Sequence, residues 1–137
     1  MRIVLDTNVI VSGLLNPDGN PGRIVDLVLA GEVTLLADDR PLAEYRAVLR
    51  RPKFGFGSTD VSDFLDFLES QGERVVAIPL PSGLPDESDR AFLEVALAGR
   101  AESLVTGNIR HFRVAHGGRL PIESPAEFVR RWSRSRG

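Results

Sequence analysis

Two spacings of apolar residues alternate along this chain. Short runs dominated by apolar residues, Arg2 to Leu5, Val33 to Ala37, Arg74 to Ile78 and Glu102 to Thr106, have the length and β-branched content of buried strands. Between them apolar residues recur every three or four positions, which predicts helices with one inward stripe. Val9 to Leu15 reads as a short helix or turn. Asn20 as N-cap and Pro21 at N1 open a helix with Ile24, Val25, Val28 and Leu29 inward and Gly31 as its stop. A third helix runs from Arg40 or Pro41 to about Leu49, with Leu42, Tyr45, Val48 and Leu49 inward, so Glu44 lies beside the apolar boundary. Ser58 to Gln71 turns Val61, Phe64, Leu65 and Leu68 inward, and Asp86 opens a helix to about Ala98 with Phe92, Leu93, Ala96 and Leu97 as core candidates. Leu120 to Ile122 is a short fifth strand. Ser124, Pro125 and Glu127 then form a capping box before a final helix with Phe128, Val129 and Trp132.

Strands of four or five residues alternating with helices specify an α/β protein. The expected architecture is a three-layer α/β/α sandwich with a central parallel sheet of four or five strands. The connections Asn16 to Gly22, Arg50 to Gly57 and Pro79 to Pro85 are rich in glycine, proline or basic residues. A chain of 137 residues suits one domain, 1–137, with a basic tail at about 130–137. No apolar run approaches the roughly 20 residues that span a bilayer, so no membrane association is expected.

Composition narrows the chemistry. There is no cysteine, which removes disulfides, thiolate metal sites and cysteine nucleophiles, and suits a cytoplasmic address. The net charge is −2, but the last eight residues, RRWSRSRG, carry four arginines and no acid, leaving 13 basic against 19 acidic groups in the rest. That tail either guides a polyanion or only keeps the terminus soluble. There is no GxxxxGK and no GxGxxG, which disfavours a P-loop or dinucleotide site.

Four places fall at comparable depth in such a fold: Asp6 at the end of the first strand, Glu44 in the third helix, Asp86 and Asp89 at a helix start, and Asn108 after the fourth strand. Carboxylates gathered from remote points of the chain repel one another unless a cation compensates them. Oxygen donors without Cys or His suit Mg²⁺ or Mn²⁺, and metal-dependent phosphoryl hydrolysis follows naturally. Each residue also has a structural reading: Asp86 as an N-cap, Asp89 as a first-turn acid, Glu44 as a solvated edge residue, and Thr7 and Asn8 as caps of the next helix.

The segments IVLDTNVIVSGLL, PLAEYRAVLRRPKF, LPDESDRAFLEVALAG and LVTGNIRHF, followed by a late SPAEFV, together resemble the PIN-domain family, in particular its VapC-like toxin group, over essentially the whole chain. The resemblance implies a compact α/β/α nuclease, the toxin of a toxin–antitoxin pair, that binds Mg²⁺ or Mn²⁺ and cleaves RNA to a 5′-phosphate and a 3′-hydroxyl. Asp6 matches the first family acid, Glu44 the second and Asp89 the third, with Asp86 as an auxiliary. The fourth position, usually an aspartate in a TGD-like turn, is Asn108 here, which weakens the case for two metals. In this reading Asp6 and Asp89 hold the ion, Glu44 and Asn108 orient the attacking water, and Thr7 and Asn8 support them.

A small antitoxin inserting an apolar helix into the cleft, and a homodimer, are also implied. Arg50, Arg51, Lys53 and Arg110 are the main candidates for RNA contact, with Arg40, Arg46 and Arg113 further basic residues near the expected rim. Phe54 and Phe56 either stack on bases or close onto the core. His111 could approach phosphate, whereas His116 reads as a loop residue and Trp132 as a packing anchor. Two rivals stand beside this reading: a PIN-like module with weakened catalysis that binds RNA or protein, and a Mg²⁺-dependent phosphohydrolase acting on small compounds.

Overall fold

The computed structural model describes residues 1–80, 87–113 and 120–136. Five strands, β1 (Arg2–Leu5), β2 (Thr34–Ala37), β3 (Glu73–Arg74), β4 (Ser103–Val105) and β5 (Ile122–Glu123), form one sheet in the order β3-β2-β1-β4-β5. Every pairing is parallel, with Ile3 beside both Leu35 and Ser103 and Leu5 beside Val105. The three central strands are buried almost throughout, because a parallel sheet carries helices on both faces and has no solvent side to alternate toward.

The helices are α1 (Thr7–Leu15), α2 (Asn20–Leu29), α3 (Asp39–Leu49), α4 (Ser58–Gln71), α5 (Glu87–Ala98), α6 (Ile109–Arg113) and α7 (Pro125–Arg136). α2 packs between α1 and α7, α5 covers β1, β2 and β4, and α3 touches α1, α4 and α5. The result is the expected three-layer α/β/α sandwich. A Cβ at Gly22 would collide with the Pro17 carbonyl, so the tight approach of the 16–19 loop to the start of α2 requires glycine there.

α4 has the bounds expected from its apolar spacing, and the capping box of α7 is formed reciprocally. Glu127 N–H donates to Ser124 Oγ at 3.1 Å and Ser124 N–H donates to Glu127 Oε1 at 2.9 Å. The α2 cap differs by one residue: Gly19 is the N-cap and Asn20 already lies in the helix. The larger difference is the strand expected over Arg74 to Ile78. Pairing is confined to Glu73–Arg74, and Val76 and Ile78 are 93% and 73% exposed. β3 is an edge strand, beside β2 alone, and the face that carries Val76 and Ile78 stands in water. The sequence also gave no sign of α6, a five-residue helix anchored by the fully buried Phe112. Asp86 and His116 lie outside the described residues.

All strands run the same way, so the ends of β1 and β4 open at one pole of the sheet. α7 starts at the end of β5 and runs back to the other pole, where Arg131 Nη2 reaches the Glu102 carbonyl at 3.4 Å. Arg131 is also paired with Glu123 at 2.8 Å. Along α7 the chain thus moves away from the pole where Asp6 and Asn108 lie.

Candidate functional site

The end of β1 passes directly into α1, and Asp6 is the N-cap residue between them. A carboxylate at that position sits at the centre of the sheet, because β1 is its middle strand. Asp6 is 7% exposed, and Thr106, fully buried after β4, donates its hydroxyl to Asp6 Oδ2 at 2.7 Å. Burial pushes the Asp6 carboxyl up to about 6 from 3.8, opposed by the Thr106 hydroxyl and the Thr7 backbone and reinforced by the charges of Asp89 and Glu44.

Beneath it, Tyr45 is fully buried and donates its hydroxyl to the Leu5 carbonyl at 2.6 Å, fixing the strand end that carries the acid. Burial, with the charges of Asp6 and Glu44, drives the Tyr45 phenol well above its ordinary value, so it acts as a neutral donor.

Asp6, Glu44, Asp89 and Asn108, drawn from four separated parts of the chain, line one open pocket of about 390 Å³ together with Thr7, Asn8, Val11, Ser12, Val48, Phe54 and His111. Thr7 Oγ1 donates to Glu44 Oε2, holding Glu44 toward the pocket across the α1–α3 contact. Asn8 Oδ1 accepts from the Gly107 amide at 3.3 Å, and the Asn108 amide donates to Thr106 Oγ1 at 2.9 Å. The side chains of Thr7 and Asn8 thus bond Glu44 and the β4 turn, while the Thr7 backbone bonds the Asp6 carboxylate.

Two contacts were invisible in the sequence. His111 Nδ1 stands 3.5 Å from Asp89 Oδ2, giving the imidazole a partner 22 positions earlier in the chain. Glu94, 3% exposed in the middle of an apolar stretch of α5, accepts from Arg40 Nη1 at 2.6 Å and from the Leu80 amide at 2.7 Å. Its neighbours Phe92, Leu93, Val95 and Ala96 are all buried, which is the one signal that the acid between them is buried too.

The basic candidates divide. Arg40 pairs with Asp38 and Glu94, and Arg46 with Glu69. Arg50 reaches Ser62 at 3.3 Å, while Arg51 and Lys53 are exposed on the segment that brings Phe54 to the pocket. Arg110 is exposed beside it, lining an adjoining depression with Gly107, Asn108, Ile109 and His111. Phe54 and Phe56 resolve the choice left open for them: both are half-buried against the core and stack on each other at 5.9 Å, and Phe54 alone lines the pocket.

The pocket suits a hard divalent cation by donor type: carboxylates and a carboxamide, with no thiolate. It also suits one by charge, since Asp6 already feels Asp89 and Glu44 as like charges that a cation would offset. As the side chains are placed, no three His, Asp or Glu among the described residues stand close enough to ligate one ion.

Comparison with known proteins agrees with this architecture. The PIN-domain family model matches residues 2–110. An uncharacterized protein of Methanocaldococcus jannaschii is 29% identical over 111 residues, covering 79% of this chain and 71% of that protein. A chain of VapBC2 from Rickettsia felis, in a crystal structure bound to a DNA fragment from their promoter, shares the fold with a TM-score of 0.57. That likeness covers 90% of this chain and 98% of the other at 22% identity, and it is a VapC-like arrangement of strands and helices. No helix among the described residues is long and apolar enough to cross a membrane.

Proposed function

This chain belongs to the PIN-domain family, and on that premise we propose that it is a metal-dependent endoribonuclease, the toxin of a toxin–antitoxin pair. The observation that carries the reading is the convergence of Asp6, Glu44, Asp89 and Asn108 on one pocket, with the Asp6 carboxyl pushed up to about 6 by burial and by its acidic neighbours. A site that makes its own carboxylate costly to ionise is built to receive a cation.

Asp6 and Asp89 are the residues that would hold Mg²⁺ or Mn²⁺, with Glu44 beside them and Asp86 as a candidate auxiliary. When bound, such an ion lowers the pKa of water and offsets charge on a phosphodiester. Glu44, kept in place by the Thr7 hydroxyl, accepts a proton from the attacking water. Asn108 orients that water through its carboxamide without adding charge. Thr106 fixes one oxygen of Asp6 and the Thr7 backbone also bonds the carboxylate, so its orientation is set before any ion arrives. Arg50, Arg51, Lys53 and Arg110 supply contacts to the RNA backbone, which position the strand without reading its sequence.

The wall of Val11, Val48 and Phe54 beside the acids suits an apolar antitoxin helix carrying a basic side chain. The likeness to VapBC2 of Rickettsia felis supports looking for that partner and for a dimer. The test is cleavage of labelled RNA in Mg²⁺, Mn²⁺ or EDTA by the wild type, Asp6→Asn and Asp89→Asn, with thermal unfolding to verify that the variants fold. Cleavage that survives EDTA, or both substitutions, rejects the reading. RNA binding without cleavage by the wild type assigns the chain to the weakened-module alternative.

A further inference from the structure

His111 joins two of the pocket's acids through a continuous path. Thr106 Oγ1 donates to Asp6, the Asn108 amide donates to Thr106 Oγ1, and the His111 amide donates to the Asn108 carbonyl at 3.0 Å. The His111 imidazole then faces Asp89 at 3.5 Å. The segment from Thr106 to His111 thereby spans from the first acid to the third. Its far end is anchored by Phe112, fully buried directly after the histidine. Asp89 is the more enclosed partner, its side chain 13% exposed against 54% for His111. The imidazole thus covers a carboxylate that has little contact with water.

We propose that His111 is a positioning residue that sets the orientation of the Asp89 carboxylate for cation binding. The proposal rests on the nuclease reading above and adds to it a residue outside the acidic set. The physical basis is that a carboxylate held by one oxygen presents the other in a fixed direction, so less side-chain freedom is lost when an ion binds. α6 is short, and the hydrogen bond from the His111 amide to Asn108 together with the burial of Phe112 fixes where its imidazole starts.

The experiment measures Mn²⁺ binding to the full chain by calorimetry, alongside kcat and KM on labelled RNA, for wild type, His111→Ala, His111→Asn, Asp89→Asn and the Asp89→Asn/His111→Ala double variant. Removing an outer partner of a ligating side chain weakens metal affinity by about 10- to 100-fold, and that loss is expected for His111→Ala. His111→Asn, whose carboxamide N–H falls near the place of Nδ1, should recover most of it. Adding His111→Ala to Asp89→Asn should have no further effect, because the group being positioned is already altered. Thermal unfolding separates a general loss of fold from a loss of positioning. Wild-type Mn²⁺ binding with His111→Ala equal or tighter, or fully additive with Asp89→Asn, overturns the proposal and leaves the nuclease reading standing. A wild type that neither binds Mn²⁺ nor cleaves RNA overturns both.

Discussion

Asp6→Asn should make the protein more stable at neutral pH while abolishing its activity. The Asp6 carboxyl is raised from 3.8 to about 6, chiefly by burial. An acid whose pKa is higher in the folded state holds its proton more tightly there. Its contribution is therefore favourable at low pH and is lost as pH rises from about 4 through about 6. A difference of about 2 units corresponds to ~3 kcal/mol, carried as a penalty at pH 7 and absent near pH 3. Asparagine keeps an oxygen to accept the Thr106 hydroxyl and removes the charge, so the variant escapes that penalty.

Urea unfolding of both proteins from pH 4 to pH 8 isolates the effect in their difference, since every other acid titrates in both. Asp6→Asn should equal the wild type near pH 4 and exceed it by up to ~3 kcal/mol at pH 7.5. That corresponds to ~10 °C in Tm for a chain of this size. Saturating Mg²⁺ at about 100 Kd should return ~2.7 kcal/mol to the wild type and little to the variant. A pH-independent difference, or an Asp6→Asn protein less stable than wild type at pH 7.5, would refute the claim that burial and like charge load this carboxylate.

Tyr45→Phe removes the 2.6 Å bond to the Leu5 carbonyl and leaves that carbonyl buried. Stability should fall by ~1–3 kcal/mol in urea unfolding, and an unchanged midpoint would contradict the buried contact. Ser124→Ala breaks one half of the α7 capping box, and thermal unfolding should register a loss of ~1 kcal/mol with RNA cleavage unaltered. Arg40→Ala strips Glu94 of its cationic partner. Burial raises the Glu94 carboxyl, but the Leu80 amide and Arg40 outweigh it and the net shift is downward. The stability Glu94 contributes is thus present above its unfolded pKa and lost toward acid, and Arg40→Ala should flatten that acid-side loss in pH-dependent melts. Alanine at Arg51, Lys53 or Arg110 should weaken RNA binding irrespective of base and reduce its salt slope by ~0.7 per phosphate contact removed, measurable by anisotropy between 50 and 200 mM salt.

The sequence made the sheet legible where burial is two-sided, since β1, β2 and β4 are nearly unbroken apolar runs with acids or turn residues at their ends. It misjudged Arg74 to Ile78 because an edge chain and a central one share the same β-branched content, and only neighbours decide how many side chains meet water. Asp6 was recognisable because a charge placed directly after a buried strand needs a partner. The partner itself, the Thr106 hydroxyl, comes from 100 positions away and leaves no local mark. Glu94, and the acid that partners His111, were missed for the same reason. Helical spacing says which face a residue occupies, whereas the contacts with Arg40 and Asp89 depend on how α3, α5 and α6 pack. Asn108 was visible as a departure from the usual acid, yet its amide contact with Thr106 belongs to the turn's backbone and not to its carboxamide.

The reversed course of α7 has a consequence for how positive charge is spread between the two ends of the sheet. Twelve helical residues extend ~18 Å, more than two screening lengths at physiological ionic strength. Arg134, ten residues into the helix, is set back by ~14 Å along its axis and pulls weakly at the end where α7 begins, whereas Arg130, midway, is set back by only ~8 Å. On the nuclease reading proposed above, Arg134 therefore adds little to the attraction of a strand toward Asp6 and Asp89.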